Sequence, residues 1–140
     1  DPEIINLLYE ASNVGVKIRL IIRGICCLYP QKTNMSENIE VISIIGHFLE
    51  HSRIFWFYNN NHPEAYIGSA DWMRRNLDRR IEAITPIENI SLKKQLYNLL
   101  ITYLHDTYFS WEMDNKGNYL KKQKNMDERC SQFELIKSWH

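Results

Sequence analysis

An almost unbroken apolar run directly after a predicted helix constrains the fold most strongly. Residues 2–13 carry apolar side chains at helical spacing, and Gly15 ends that pattern. Residues 16–23 then alternate into a nearly continuous apolar segment, which is typical of a strand buried on both faces. A helix followed by such a strand predicts a layered α/β sheet.

The remaining pattern predicts further strands and helices. Asp71 is expected to cap a short helix, and Ser91 is expected to cap a longer one. At 140 residues, the chain is long enough for a single domain with its own core. The predicted elements are strands at 39–45, 53–58, 64–69 and 80–84, helices at 71–76 and from 91 to about 106, a hairpin at 111–119 and a final helix within 127–139. The strands at 53–58 and 64–69 are joined by a turn at 59–63 and are expected to form a hairpin.

The charge balance excludes any bulk attraction to polyanions. The chain carries 17 basic and 17 acidic residues, so its formal net charge is zero and any anion site must be local. No apolar run approaches the roughly eighteen residues that a membrane span needs, and no signal peptide is present. These observations predict a cytoplasmic protein without a nucleic-acid partner.

Two further features bear on context. The three cysteines are an odd number and include an adjacent pair, Cys26 and Cys27, which argues against a disulfide framework and against a zinc site. The sequence begins at Asp1 and Pro2 without an initiator methionine. We therefore expect a domain excised from a longer protein.

The side chains best suited to proton transfer and phosphate binding lie between residues 50 and 80. His51 stands at the start of a predicted strand, and a Gly68-Ser69 turn and several arginines follow. Imidazole can carry a proton near neutral pH, and guanidinium groups match phosphate oxygens in pairs. Glycine allows a backbone to approach an anion closely. Together these residue types predict a phosphoryl-transfer pocket.

The order histidine, basic residue, strand and Gly-Ser turn resembles the phospholipase D superfamily, in which a histidine is the nucleophile or its general acid partner. A single histidine such as His51 is otherwise more often structural than catalytic. Three departures argue against a phosphodiesterase: Arg53 replaces the usual lysine, Tyr58 takes the position of an aspartate, and Asp71 replaces an asparagine.

The arginines divide into two groups. Arg80 is predicted to open a strand with Glu82 on the same face, so it is a candidate phosphate ligand with Glu82 as its orienting partner. Arg23 ends the first strand, at the edge where ligands collect in open α/β sheets, although a strand-end arginine often simply reaches water. The others are assigned to an exposed helix face: Arg74, Arg75 and Arg79.

Several blocks, in the right order and spacing, resemble the C-terminal domain of bacterial polyphosphate kinase. The resemblance covers residues 1–119, and residues 120–140 are interpreted as a linker followed by a helix. The matching blocks are Val16 to Cys27 with Gly24-Ile25-Cys26-Cys27, Ser36 to Ile39, Phe48 to Arg53, Ile67 to Met73, and Arg75 to Arg80.

The resemblance implies a phospholipase D-like layered α/β fold with a mixed β-sheet flanked by helices. It also implies reversible transfer of the terminal phosphate of ATP to inorganic polyphosphate, with magnesium. In that family the phosphorylated histidine lies on a preceding domain that is absent here, so we expect this fragment to be inactive alone. The catalytic residues carried over are His51 and Arg23, and Arg80 and Arg23 are carried over as ATP- and polyphosphate-binding residues.

The resemblance further implies partners and a location. The partners are ATP or ADP, polyphosphate, the preceding domains of the same enzyme, and other copies in a homo-oligomer of the full-length protein. The location is cytoplasmic, with a peripheral position at the inner membrane face as a variant. Two alternatives stay open: a homodimeric phosphodiesterase or nuclease with one His51 from each chain, and a non-catalytic anion-binding domain.

Overall fold

The structure is a computed structural model that describes residues 1–122 and 128–138. The described residues divide into two compact units. One comprises Asp1 and His51–Ile101, and the other comprises Pro2–Glu50 together with the described residues from Thr102 onwards. The elements are α1 (Pro2–Asn13), β1 (Ile18–Ile21), β2 (Ile39–Ile44), β3 (Ile54–Phe57), β4 (Glu64–Gly68), α2 (Arg74–Arg79), β5 (Ile84–Pro86), α3 (Ile90–Leu104), β6 (Ser110–Met113), β7 (Tyr119–Lys121) and α4 (Ser131–Ser138).

The four-stranded unit is built on a sheet with strand order β1-β2-β6-β7. β1 pairs with β2 in parallel, whereas β2 with β6 and β6 with β7 pair antiparallel, so the predicted mixed sheet is confirmed. Helix α1 has the predicted bounds and packs its apolar stripe on the core of this unit. The core and the α1 residues packed on it are Leu28, Ile39, Val41, Met113, Ile5, Leu8 and Tyr9.

The prediction that the first strand is buried on both faces was wrong. β1 spans only Ile18–Ile21 and lies at the edge of its sheet, where Arg19 is exposed and its neighbours are half-buried. The strand that is buried on both faces is β2, in which five of six residues are buried. β2 is a central strand with a hydrogen-bonded neighbour on each side, and its successive residues Val41 to Ile44, which point alternately to the two faces of the sheet, are all buried.

Buried polar side chains hold the connections of the four-stranded unit in place. Asp106 is fully buried and accepts hydrogen bonds from the backbone of Phe109 and from both N and Oγ of Ser131. Glu50 likewise accepts hydrogen bonds from Tyr103 at 2.7 Å and from Gln132 at 2.7 Å. Burial, followed by the Glu50 contact, raises the pKa of Tyr103.

The three-stranded unit contains an antiparallel sheet with order β3-β4-β5. The predicted hairpin between β3 and β4 is confirmed, and three consecutive asparagines in its turn adopt positive φ, which asparagine tolerates well. Trp56 packs against Tyr97 of α3 with ring centroids 5.1 Å apart, and Phe55 stacks on Trp72 at 5.2 Å. Phe55, Trp56 and Trp72 are half-buried, and each packs against another aromatic ring of the same unit.

Two predicted boundaries in this unit differ from the structure. Met73, not Asp71, is the N-cap residue of α2, and it makes no side-chain cap hydrogen bond. β5 spans Ile84–Pro86, so Arg80 does not open a strand; it is the C-cap residue of α2 with extended backbone. β5 begins later than predicted: its register with β4 runs from Gly68–Ile84 to Tyr66–Pro86, and Arg80 still belongs to the end of α2.

The predicted helices α3 and α4 are both present in the structure. α3 is confirmed, but its N-terminus is capped by Asn89, whose Oδ1 accepts a hydrogen bond from Leu92 N, and not by Ser91. α4 spans Ser131–Ser138, and the parts of the predicted linker and helix at 123–127 and 139–140 lie outside the described residues. None of the described helices combines the length and the apolar character that a membrane crossing requires.

The single domain over residues 1–140 stays a prediction.

Candidate active site

One end of the three-stranded sheet gathers polar side chains. Ile54 at the start of β3 pairs with Ile67, and Gly68 at the end of β4 pairs with Ile84 at the start of β5. The three strand ends therefore lie side by side, and residues that flank them meet at one edge of the sheet. We call this the polar edge; its members are His51, Arg53, Ser69, Asp71, Asn76, Arg80 and Glu82.

Gly68 has a different role from the predicted one. A Cβ atom at this position would lie 2.9 Å from Ala83 O and 3.0 Å from Ile84 Cγ1, so only glycine lets β4 and β5 approach here. Gly68 N donates to Arg53 O, and Ser69 N donates to Ala83 O, both at 3.0 Å. Since both amides are used inside the sheet, the turn joins strands and does not present its backbone to an anion.

Arg53 bridges the side chains of His51 and Asp71. Its Nη1 lies 2.5 Å from Nδ1 and 3.2 Å from Nε2 of His51, and it also donates to His51 O at 2.5 Å. Its Nε and Nη2 contact Asp71 Oδ1 at 3.0 and 2.9 Å. The Arg53 side chain is 16% exposed, whereas that of Asp71 is 41% exposed and His51 is exposed.

Glu82 contacts three other side chains of the polar edge: Ser69, Asn76 and Arg80. Ser69 Oγ donates to Glu82 Oε2 at 2.5 Å, and the buried Asn76 donates its Nδ2 to Oε1 at 2.8 Å. Arg80 Nε lies 3.3 Å from the same Oε1. The hydrogen bond from Ser69, followed by that from Asn76, lowers the pKa of Glu82, and the charges of Arg80 and Arg53 act in the same direction. Glu82 is therefore held as a carboxylate.

The predicted contact between Arg80 and Glu82 is present, although Arg80 lies outside any strand. Glu82 is 11% exposed and Arg80 is 55% exposed. A shielded, hydrogen-bonded carboxylate thus anchors Nε of a guanidinium that stays largely open to solvent. Such an arrangement orients arginine donors toward an anion in solution.

The structure places two of the three predicted site residues at the polar edge, in two separate groups of side chains. His51 contacts Arg53, which pairs with Asp71, whereas Arg80 pairs with Glu82. Arg23 lies in the other unit, exposed, two residues beyond the end of β1. A single anion site shared by Arg23, His51 and Arg80 stays a prediction.

Sequence reasoning missed part of the network. Asp71 was interpreted as a helix cap and as a departure from a superfamily pattern, but in the structure it pairs with Arg53. Nothing in the sequence indicated that Asn76 belongs to the polar edge, because a lone asparagine in a short helix is usually exposed. The Gly68-Ser69-Ala70-Asp71 block, opposite Arg53 across the hairpin, was the one available clue.

The described residues of the polar edge do not form a cluster of metal ligands. Among residues 1–122 and 128–138, no group of three or more His, Cys, Asp or Glu side chains is placed to hold a metal ion. The two carboxylates of the polar edge are already engaged, Asp71 by Arg53 and Glu82 by Ser69, Asn76 and Arg80.

Comparison with known proteins extends over nearly the whole chain. Residues 1–132 match the family model described as polyphosphate kinase C-terminal domain 2. A polyphosphate kinase from Prochlorococcus marinus (strain MIT 9313) is 61% identical over 141 residues, covering 99% of this chain and 20% of that protein. A polyphosphate kinase from Dictyostelium discoideum is 49% identical over 128 residues, covering 91% of this chain and 12% of that protein.

A solved structure agrees with the fold. The crystal structure of polyphosphate kinase from Porphyromonas gingivalis superposes with a TM-score of 0.94 at 37% sequence identity, covering 99% of this chain and 22% of that chain. This similarity confirms the predicted α/β fold class, the phospholipase D-like fold of that kinase's C-terminal domain. The chain spans about a fifth of the length of the Prochlorococcus protein.

Proposed function

This chain belongs to the polyphosphate kinase C-terminal domain 2 family, and on that premise we propose that it forms the C-terminal half of an active site. The full-length enzyme reversibly transfers the terminal phosphate of ATP to inorganic polyphosphate. The phosphorylated histidine lies on a preceding domain. The isolated chain is inactive because it lacks that nucleophile.

The observation that carries this proposal is the polar edge, where an exposed guanidinium and an exposed imidazole are each held by a buried or half-buried partner. A phosphoryl group in transfer spreads negative charge over its oxygens. Arg80, anchored by Glu82, binds those oxygens, and Arg23 is the second arginine proposed to contact the phosphoryl group. An arginine placed in this way contributes about a thousandfold or more in rate.

His51 acts as the proton donor of the reaction. When the remote histidine attacks the terminal phosphorus of ATP, a P–N bond forms and the bond between that phosphorus and the bridging oxygen breaks. The departing ADP oxygen gains negative charge, and His51 donates a proton to it. In the next step the phosphate passes to the end of a polyphosphate chain, and the same groups serve in the opposite direction.

Magnesium enters this proposal with ATP. Bound to the triphosphate, it offsets charge on the phosphate oxygens. Within residues 1–122 and 128–138, the carboxylates of the polar edge contact arginine and asparagine side chains. Homo-oligomerisation, the lack of a nucleic-acid partner, and a cytoplasmic location with a peripheral variant at the inner membrane face stay predictions.

The products of the full-length enzyme test this function. With ATP labelled at the γ-phosphate and magnesium, we expect label in long acid-insoluble chains together with one ADP per phosphate transferred. With ADP and polyphosphate, the same enzyme should form ATP. Hydrolysis of bis(p-nitrophenyl) phosphate without polyphosphate synthesis would instead support a phosphodiesterase. The control is the enzyme carrying His62→Ala, a change in the exposed turn between β3 and β4.

A further inference from the structure

The buried side chain of Asn76 makes its hydrogen bond to Glu82. Asn76 lies in α2, is 2% exposed, and donates its Nδ2 to Glu82 Oε1 at 2.8 Å. Its Oδ1 is also buried and has no hydrogen-bond partner within residues 1–122 and 128–138. Asparagine is mostly exposed in proteins, and a buried amide with an unpaired atom costs stability. The burial of Asn76 therefore calls for a reason other than packing, and the contact with Glu82 supplies one.

Ser69 holds the other oxygen of the same carboxylate. Its Oγ accepts a hydrogen bond from Ala83 N at 3.1 Å and donates its single hydrogen to Glu82 Oε2 at 2.5 Å. Glu82 thus receives one donor at each carboxylate oxygen, and its side chain is only 11% exposed. A shielded carboxylate that is held at both oxygens keeps one orientation.

We propose that Asn76 and Ser69 are positioning residues that fix the Glu82 carboxylate and, through it, the Arg80 guanidinium for phosphate binding. This inference rests on the proposed role of Arg80 at the transferring phosphoryl group. Arg80 Nε lies 3.3 Å from Glu82 Oε1, the oxygen that Asn76 also contacts. Arg80 is 55% exposed, and an exposed arginine samples many rotamers. Confining it before substrate binds lowers the entropic cost of the reaction.

The first test uses Ser69→Ala in the full-length enzyme. Ser69 is exposed, so we expect the melting temperature to change little. Loss of the hydrogen bond at Oε2 lets the carboxylate and Arg80 shift, and kcat/KM for polyphosphate synthesis should fall by about tenfold. The matched control is Ser91→Ala, an exposed serine of α3, which should retain the wild-type kcat/KM. Wild-type kcat/KM in Ser69→Ala would overturn the inference.

The second test uses Asn76→Asp, which keeps the size of the side chain but places a carboxyl group against Glu82. Two carboxyl groups in contact share one proton, and this shared proton restores the hydrogen bond that the amide makes. The other charges that act on Glu82 are those of Arg80 and Arg53. Relative to wild type at the same pH, kcat/KM should be about a hundredfold lower at about pH 8 and should recover as the pH falls to about 6.

This pH dependence separates positioning from a structural role. A ratio to wild type that is lowered equally at both pH values would show that Asn76 only supports the fold, and a ratio of one at both would show that it has no role; either result would overturn the inference. The matched control is Asn60→Asp in the exposed turn between β3 and β4, which should keep the wild-type kcat/KM at both pH values. Thermal unfolding at the same two pH values checks that each variant is folded.

A double-mutant cycle tests whether the effect passes through Arg80. If it does, then adding Ser69→Ala to Arg80→Ala should cause no further loss of kcat/KM. A further loss of about tenfold in that background would overturn the inference, because the effect would then bypass Arg80. Near-wild-type activity in Arg80→Ala itself would refute the proposed role of Arg80, whereas an inactive Arg80→Ala with fully active Ser69→Ala and Asn76→Asp would refute only the positioning.

Discussion

Replacing His51 with alanine in the full-length enzyme is expected to lower kcat for polyphosphate synthesis by about a thousandfold. General acid catalysis by a positioned side chain contributes about 10²–10⁴ in rate, and alanine removes the donor completely. The melting temperature should change little, because His51 is exposed and its hydrogen-bonding contacts within the described part of the chain are with Arg53. Steady-state kinetics in both directions, with thermal unfolding as a check on folding, measures this effect.

His62→Ala is the matched control for this prediction. His62 is also exposed and lies at the far end of the same hairpin, in the turn between β3 and β4. It should keep the wild-type kcat. A His51→Ala enzyme that turns over within about threefold of wild type would remove His51 from the chemistry.

Arg23→Ala is expected to cost a similar amount, about a thousandfold in kcat/KM. A guanidinium that contacts a transferring phosphoryl group gains strength as charge develops on the oxygens, so its loss raises the barrier more than it weakens substrate binding. Arg23→Lys should recover only part of the activity, because an ammonium cannot form paired hydrogen bonds to two phosphate oxygens.

Arg19→Ala serves as the control for Arg23. Arg19 is an exposed arginine in β1, four residues earlier in the chain, so the control removes the same charge from the same unit. If the two variants lost activity equally, the effect would reflect general charge, and a direct role of Arg23 at the phosphate would be contradicted.

The fold could be predicted where local pattern decides it. α1 has its predicted bounds because its apolar spacing and its glycine end lie within one short segment, and the β3–β4 hairpin follows from its asparagine-rich turn. Burial could not be predicted in the same way. β1 and β2 are both rich in β-branched residues, and only the sheet order decides that β2 is covered on both sides while β1 is an edge.

The site could be predicted in part for a related reason. His51 and Arg80 were identifiable by residue type and by resemblance, which requires no knowledge of their neighbours. The partners that hold them are distant in sequence: Arg53 meets Asp71 across 18 residues, and Ser69 meets Glu82 across 13. Those contacts depend on the strand register of β3, β4 and β5, which the sequence pattern placed incorrectly at β5.

The central claim is that this chain supplies charge and a proton to a nucleophile located on another part of the enzyme. The most direct measurement is incubation with ATP labelled at the γ-phosphate, followed by denaturation in alkali and detection of protein-bound phosphate. The full-length enzyme should retain label as acid-labile phosphohistidine, and this chain alone should retain none. Stable label on a histidine of the isolated chain would contradict the account.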